Sequence, residues 1–198
     1  PAESEIPAST SASDPAPASG ELPPAPAITD DVLENLLPPD EARRIIENRA
    51  GYAMTYLKNQ TFDRLAQKYF HPEKGVHFYP FGLSTAGKSF TNSEMENILS
   101  NPAVFQWGTK PDGTPLEMDF QSYYQSYIYD RDFEQAAQIH YNEITFPGAT
   151  NLSLRRVAAK YPESIIVEHV QAGRSLILIF ENLGGEYDWF VSGVVNNE

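Results

Sequence analysis

Apolar residues recur at helical spacing in the first half of the folded part of the chain and in short blocks in its last third. Ile46, Ala50, Ala53 and Leu57 stand at i, i+4, i+7 and i+11, one stripe of a helix that Asp40 caps and that runs to about Lys58. Thr61 caps a second helix with Phe62, Leu65, Ala66 and Tyr69 on one face. His71-Pro72 ends it, because a residue before proline avoids helical angles. After the Glu73–Gly75 turn, Val76 to Phe81 reads as a strand. Ser93-Glu-Met-Glu96 has the form of a capping box and opens a short helix that buries Ile98 and Leu99. Ala103 to Gly108 is a strand, and Leu116–Met118 pairs back on it across the Lys110–Gly113 turn. Asp119 caps a helix that turns Phe120, Tyr123, Tyr124, Tyr127 and Ile128 inward. Asp130 or Asp132 caps one more turn at Phe133 to Ala137, and Ile139 to Thr145 is a strand. Asn151 caps a helix carrying Leu154, Val157, Ala158 and Tyr161.

Three strands close the chain: Ser164–Val170, Ser175–Glu181 and Tyr187–Val195. Their connections, Gln171–Arg174 and Asn182–Gly185, are too short for a crossover helix, so the strands are antiparallel neighbours. Helices first and an antiparallel meander last make an α+β architecture.

Composition divides the 198 residues in two. Residues 1–39 hold nine of the 16 prolines, seven acidic residues and no Lys or Arg. Such a segment cannot bury enough apolar surface to offset its chain entropy, and it reads as a disordered Pro/Ala/Ser-rich tether, with Asp30 to Leu37 as a short helical turn. Residues 40–198 form the single domain. The net charge of −13 argues against nucleic acid, whose phosphates demand a basic surface, and against anionic lipid. No apolar run is long enough to span a bilayer. The absence of cysteine removes disulfides, thiol catalysis and thiolate metal sites. The chain opens inside the low-complexity stretch, without an initiator Met or signal peptide, and reads as a processed or trimmed product. A tether of this kind suits an exported protein whose lipidated cysteine precedes Pro1.

Gly82-Leu-Ser-Thr-Ala-Gly87-Lys88-Ser89 matches the phosphate-loop pattern G-x-x-x-x-G-K-S. Its surroundings do not. A working loop runs straight into a helix whose N-terminus holds the phosphates, whereas here Lys88–Phe90 reads as extended and the capping box comes only at Ser93. The parallel sheet is missing as well, because the best magnesium-holding strand, Leu176–Glu181, sits in the antiparallel meander and ends in Glu. The match is read as a decoy.

No histidine spacing suits a metal, and Asp130-Arg-Asp132-Phe-Glu134 lacks the glycine and distal glutamate of a calcium loop. Neither a metal nor a cofactor is expected. The aromatic residues carry more signal, because Tyr and Trp want polar partners at their tips and often line a wet cavity. Tyr79, Trp107, Tyr127, His140, His169 and Trp189 are the candidate ligand-binding residues. An enzyme of the same shape would draw its acid or base from His140, His169, Asp188 or Tyr127.

The segment His71-Pro-Glu-Lys-Gly-Val-His-Phe78, the stretch Tyr129-Asp-Arg-Asp-Phe133 followed by Ile139-His-Tyr-Asn142, and the ending Trp189-Phe-Val-Ser-Gly-Val-Val resemble a group of bacterial exported lipoproteins. Their domain is similar to the nuclear transport factor 2-like cone, and the resemblance covers roughly residues 40–198. It implies a curved, mainly antiparallel sheet wrapped on helices with a pocket at the open end. It also implies an extracytoplasmic, lipid-anchored place at the cell surface. That group carries no assigned activity. Relatives of the cone include isomerases, dehydratases and pure binding modules, and fold alone does not choose between them. The expected function is therefore a tethered module that binds a small molecule, a cell-wall component or a protein, with a pocket enzyme as the alternative and nucleotide binding as a remote third. Contact with a membrane is expected only through the anchor.

Overall fold

The computed structural model describes residues 39–84 and 86–198. The proposed tether and its Asp30–Leu37 turn lie outside them, as does Thr85 of the glycine-rich loop. Helix α1, Pro39–Lys58, starts one residue before Asp40, so that residue lies in the first turn and is not the cap. Its stripe Ile46, Ala50, Ala53 and Leu57 is buried. Helix α2, Phe62–Lys68, follows with Phe62, Leu65 and Ala66 buried, and Thr61 precedes it without a side-chain cap bond. Strands β1 (Val76–Tyr79) and β2 (Lys88–Phe90) are antiparallel.

Helix α3, Asn92–Met95, is capped by Thr91 and not by Ser93. The sequence offers two overlapping boxes. The earlier one forms, with Glu94 accepting from the Thr91 N–H at 2.7 Å, because β2 holds the chain extended up to Phe90 and the helix begins at once. Strands β3 (Phe105–Thr109) and β4 (Pro115–Met118) make a separate two-stranded sheet. Asp119 caps helix α4, Phe120–Tyr123, by accepting from the Ser122 N–H at 2.7 Å. The helix widens into a π turn over Tyr124–Ile128. The turn at Phe133–Gln135 has no side-chain cap from Asp132, which is engaged by Lys58 and Tyr129 instead.

Strand β5, Gln138–Tyr141, is shorter than the sequence pattern predicts. Asn142 takes a positive φ of 50° and turns the chain, and its Oδ1 accepts from the Ile166 N–H. Helix α5, Leu154–Lys160, is capped by Ser153. The expected cap, Asn151, is drawn away: its Nδ2 donates to the Phe81 carbonyl at 3.3 Å. Strands β6 (Ser164–Gln171), β7 (Arg174–Asn182) and β8 (Trp189–Asn197) form the expected antiparallel meander.

The main sheet has six strands in the order β2-β1-β8-β7-β6-β5 and is open and mixed, because β1 runs parallel to β8. Strand alternation sends side chains to two faces. On one face Phe78, Val167, Leu176, Leu178, Phe180, Val191 and Val194 join the core that α1 and α2 complete. Phe78 meets Phe70, Phe90, Phe120 and Tyr123 at ring separations of 5.6 to 6.3 Å, so aromatic rings fill this side. On the other face Tyr79, Ile166, Ile177, Ile179 and Val195 pack under Val157 and Tyr161 from the α5 segment.

Candidate functional site

The second face carries a pocket of about 230 Å³ at the β1–β8 side of the sheet. It is lined by Lys74, His77, Tyr79, Ser89, Lys160, Tyr161 and Ser192. Alternation along β1 explains two of these, since Val76 and Phe78 enter the helical core and His77 and Tyr79 must face the opposite way. Ser89 is the cross-strand partner of His77, and its hydroxyl lies 2.7 Å from the imidazole Nδ1. Tyr161, just past α5, meets the Tyr79 hydroxyl at 2.7 Å. Lys160 lays its ammonium 4.6 Å from the centre of the Tyr79 ring.

Ser192 reaches the pocket by a different route. Ile179 pairs with Gly193 but Phe180 pairs with Val191, so Ser192 is the extra residue of a bulge in β8. Bulges re-aim side chains and are frequent beside functional sites. Here Ser192 is 4% exposed, and its hydroxyl has no hydrogen-bond partner among the described residues. An unsatisfied buried hydroxyl costs about 1–3 kcal/mol, which a bound partner would recover.

The charges are uneven. Lys74 is matched by Glu181 at 2.7 Å, while Lys160 has no ion-pair partner among the described residues. Burial lowers the His77 pKa to about 4, with nearby Lys160 adding to the shift, so its imidazole is neutral at pH 7. Gly87 lies directly against that ring, where an added Cβ would stand 2.6 Å from Nε2 and 2.3 Å from the Phe78 carbonyl oxygen. Its φ of +116° also calls for glycine.

Of the six aromatic and histidine candidates, Tyr79 alone lines this pocket. Trp107 is buried in the core, stacked on Tyr123 at 3.5 Å, with its Nε1–H donating to the Met118 carbonyl. Tyr127 is half-buried between Tyr123 and Phe81. Trp189 is 1% exposed within the helical core. His169 is buried, and His140 is half-exposed on β5 with Glu143 3.5 Å away. Asp188 is exposed in the β7–β8 turn. Backbone carbonyls satisfy some of these tips without a ligand, as Met118 does for Trp107 and Leu57 for the Tyr124 hydroxyl at 2.7 Å, whereas the Trp189 Nε1 has no partner among the described residues.

The glycine-rich stretch is divided between strand and loop. Gly82 donates its N–H to the Asn196 carbonyl and Gly87 to that of Trp107. Lys88 and Ser89 lie consecutively on β2 and so point to opposite faces. The Lys88 ammonium sits 5.1 Å from the Phe105 ring and 5.4 Å from the Phe90 ring. The next helix begins only at Asn92. Converging lysine, hydroxyl and amides, which a phosphate loop needs, are not found in this arrangement. The acidic run is spent on ion pairs: Asp130 with Arg131 and Arg174, and Asp132 and Glu134 with Lys58. No group of three or more His, Asp or Glu among the described residues is placed to hold a metal, and no described helix is long and apolar enough to cross a membrane.

The sequence pattern alone held a route to part of this site, through the alternation of Val76-His77-Phe78-Tyr79. The bulge at Ser192 left no such trace. Comparison with protein-family models, with curated proteins and with solved structures finds no match.

Proposed function

We propose that the chain is a tethered ligand-binding module and that the pocket on the second face of the sheet is its ligand site. The observation that carries this is Ser192, a residue of the pocket lining at a strand bulge whose buried hydroxyl has no hydrogen-bond partner among the described residues. The tether and an extracytoplasmic, lipid-anchored location rest on the proline-rich, acidic composition of residues 1–39. The likeness to the exported lipoproteins and the cone fold is supported by α1 and α2 packed on one face of a six-stranded sheet that ends in a meander. Aromatic rings fill that helical face, which favours a ligand site on the opposite one.

Ser192→Leu fills the cavity from its wall. Fragments that show saturation transfer with the full-length wild type are expected to lose it with Ser192→Leu while far-UV circular dichroism stays unchanged. The same fragments binding both proteins equally would contradict the reading.

A second reading, a hydrolase, is favoured by the Ser89 hydroxyl 2.7 Å from a neutral imidazole. Ser89 would be the nucleophile and His77 its base. A pKa near 4 makes His77 a weak base at neutral pH, which ranks this reading second. A fluorophosphonate should then label Ser89 in the wild type and not in His77→Ala. Absence of label on the wild type would eliminate the hydrolase.

A further inference from the structure

We infer that the pocket takes a small, hydroxylated carboxylate of about monosaccharide size; this rests on the pocket being the ligand site. Three kinds of donor converge there. Lys160 brings a positive charge with no carboxylate opposite it among the described residues, and the face of Tyr79 is its close neighbour. The Tyr79–Tyr161 hydroxyl pair uses one O–H between the two rings and leaves the other unspent. Ser192 adds an unspent hydroxyl. The second lysine does not raise the charge further, because Glu181 neutralises Lys74 at 2.7 Å. With His77 neutral and Glu181, just outside the lining, set against Lys74, the charge at the pocket is +1, which matches a monoanion better than a phosphate dianion.

Size narrows the class further. A pocket of about 230 Å³ corresponds to roughly eight waters' worth of liquid, room for one sugar-acid ring. The hydroxyls of such a ring would find partners in Ser89, Ser192 and the Tyr pair. The chain's overall charge of −13 repels anions at long range, so recognition must come from these short contacts, where charge-assisted hydrogen bonds are strongest.

Isothermal titration of the full-length chain with D-glucuronate, D-glucose and glucose 6-phosphate tests this. Glucuronate is expected to bind at least about tenfold more tightly than glucose. Lys160→Ala should weaken glucuronate by a similar factor, while Lys160→Arg retains most of the affinity. Equal binding of glucuronate and glucose, or no effect of Lys160→Ala, would overturn the anion assignment and leave the ligand-site reading standing. Tighter binding of glucose 6-phosphate than of glucuronate would overturn the carboxylate. If none of the three binds, the inference fails, and the Ser192→Leu comparison decides the ligand site by itself.

Discussion

Glu168→Ala is expected to lower the unfolding free energy by about 2–4 kcal/mol, because the buried Ser175 hydroxyl and the part-buried Thr145 donors lose their partner. Glu168 is fully buried on the second face of the sheet. One oxygen accepts from the Thr145 N–H at 2.7 Å and from the Thr145 hydroxyl at 2.8 Å. The other accepts from the Ser175 hydroxyl at 2.9 Å. Asn197 extends the network, donating to Ser175 Oγ and to the Phe146 carbonyl while accepting from the Ala149 N–H. The residues between β5 and α5 are thereby tied to the sheet, and α5 supplies Lys160 to the pocket. Glu168→Gln should cost much less, roughly 1 kcal/mol, because an amide oxygen can still face Thr145 and the amide nitrogen can donate to a rotated Ser175 hydroxyl. Urea unfolding of both variants reads the difference. An alanine variant within 1 kcal/mol of wild type would show that the network contributes little.

The second large effect is acid destabilisation by neutral histidines. Burial lowers the folded-state pKa of His169 to about 4. The unfolded chain, with an ordinary histidine value near 6.5, binds the proton more readily. Stability is therefore undiminished above about pH 6.5, falls as the pH drops through that value, and levels off below about pH 4. The His169 share of this loss is roughly 3 kcal/mol by linkage. His77 and His71 act in the same direction, since burial lowers the pKa of each. His71 must also stay neutral at Nδ1 to accept from the Glu73 and Lys74 N–H groups. Lowered carboxylates such as Asp119 and Glu94 act further toward acid, because their stabilisation is lost only as the pH falls through their depressed values. His169→Leu should therefore flatten the stability profile between pH 6.5 and about 4, whatever it does at pH 7.5. An unchanged profile would mean that His169 is already protonated in the fold or is hydrated there.

Helical periodicity and the short meander loops made the class and most of the order of elements legible in the sequence. Ile46, Ala50, Ala53 and Leu57 had to share a face, and strands joined through Ala172-Gly173 had to be antiparallel. Caps were less legible, because neighbouring Thr, Ser and Asn residues compete and long-range contacts choose among them: Phe81 claims Asn151, which leaves Ser153 to cap α5. The parallel pairing of β1 with β8 joins segments more than a hundred residues apart and has no local signature. The candidate aromatic residues are divided between core and pocket, with only Tyr79 lining the pocket. The Trp107 indole N–H is satisfied by the Met118 carbonyl, so that ring is core, and Trp189 is core as well although its Nε1 has no partner among the described residues. The pocket instead combines a His, two Lys, two Ser and a Tyr pair that only the fold brings together.

The pocket beside the β8 bulge is proposed as the place where this chain meets its ligand. Amide chemical-shift mapping of the full-length protein, titrated with the fragments that bind it, tests that claim most directly. Shifts should concentrate at Ser192, Gly193, His77, Ser89 and Tyr161. Shifts confined to the Trp107–Tyr127 region or to the His140 edge, with the Ser192 and His77 amides unmoved, would contradict it.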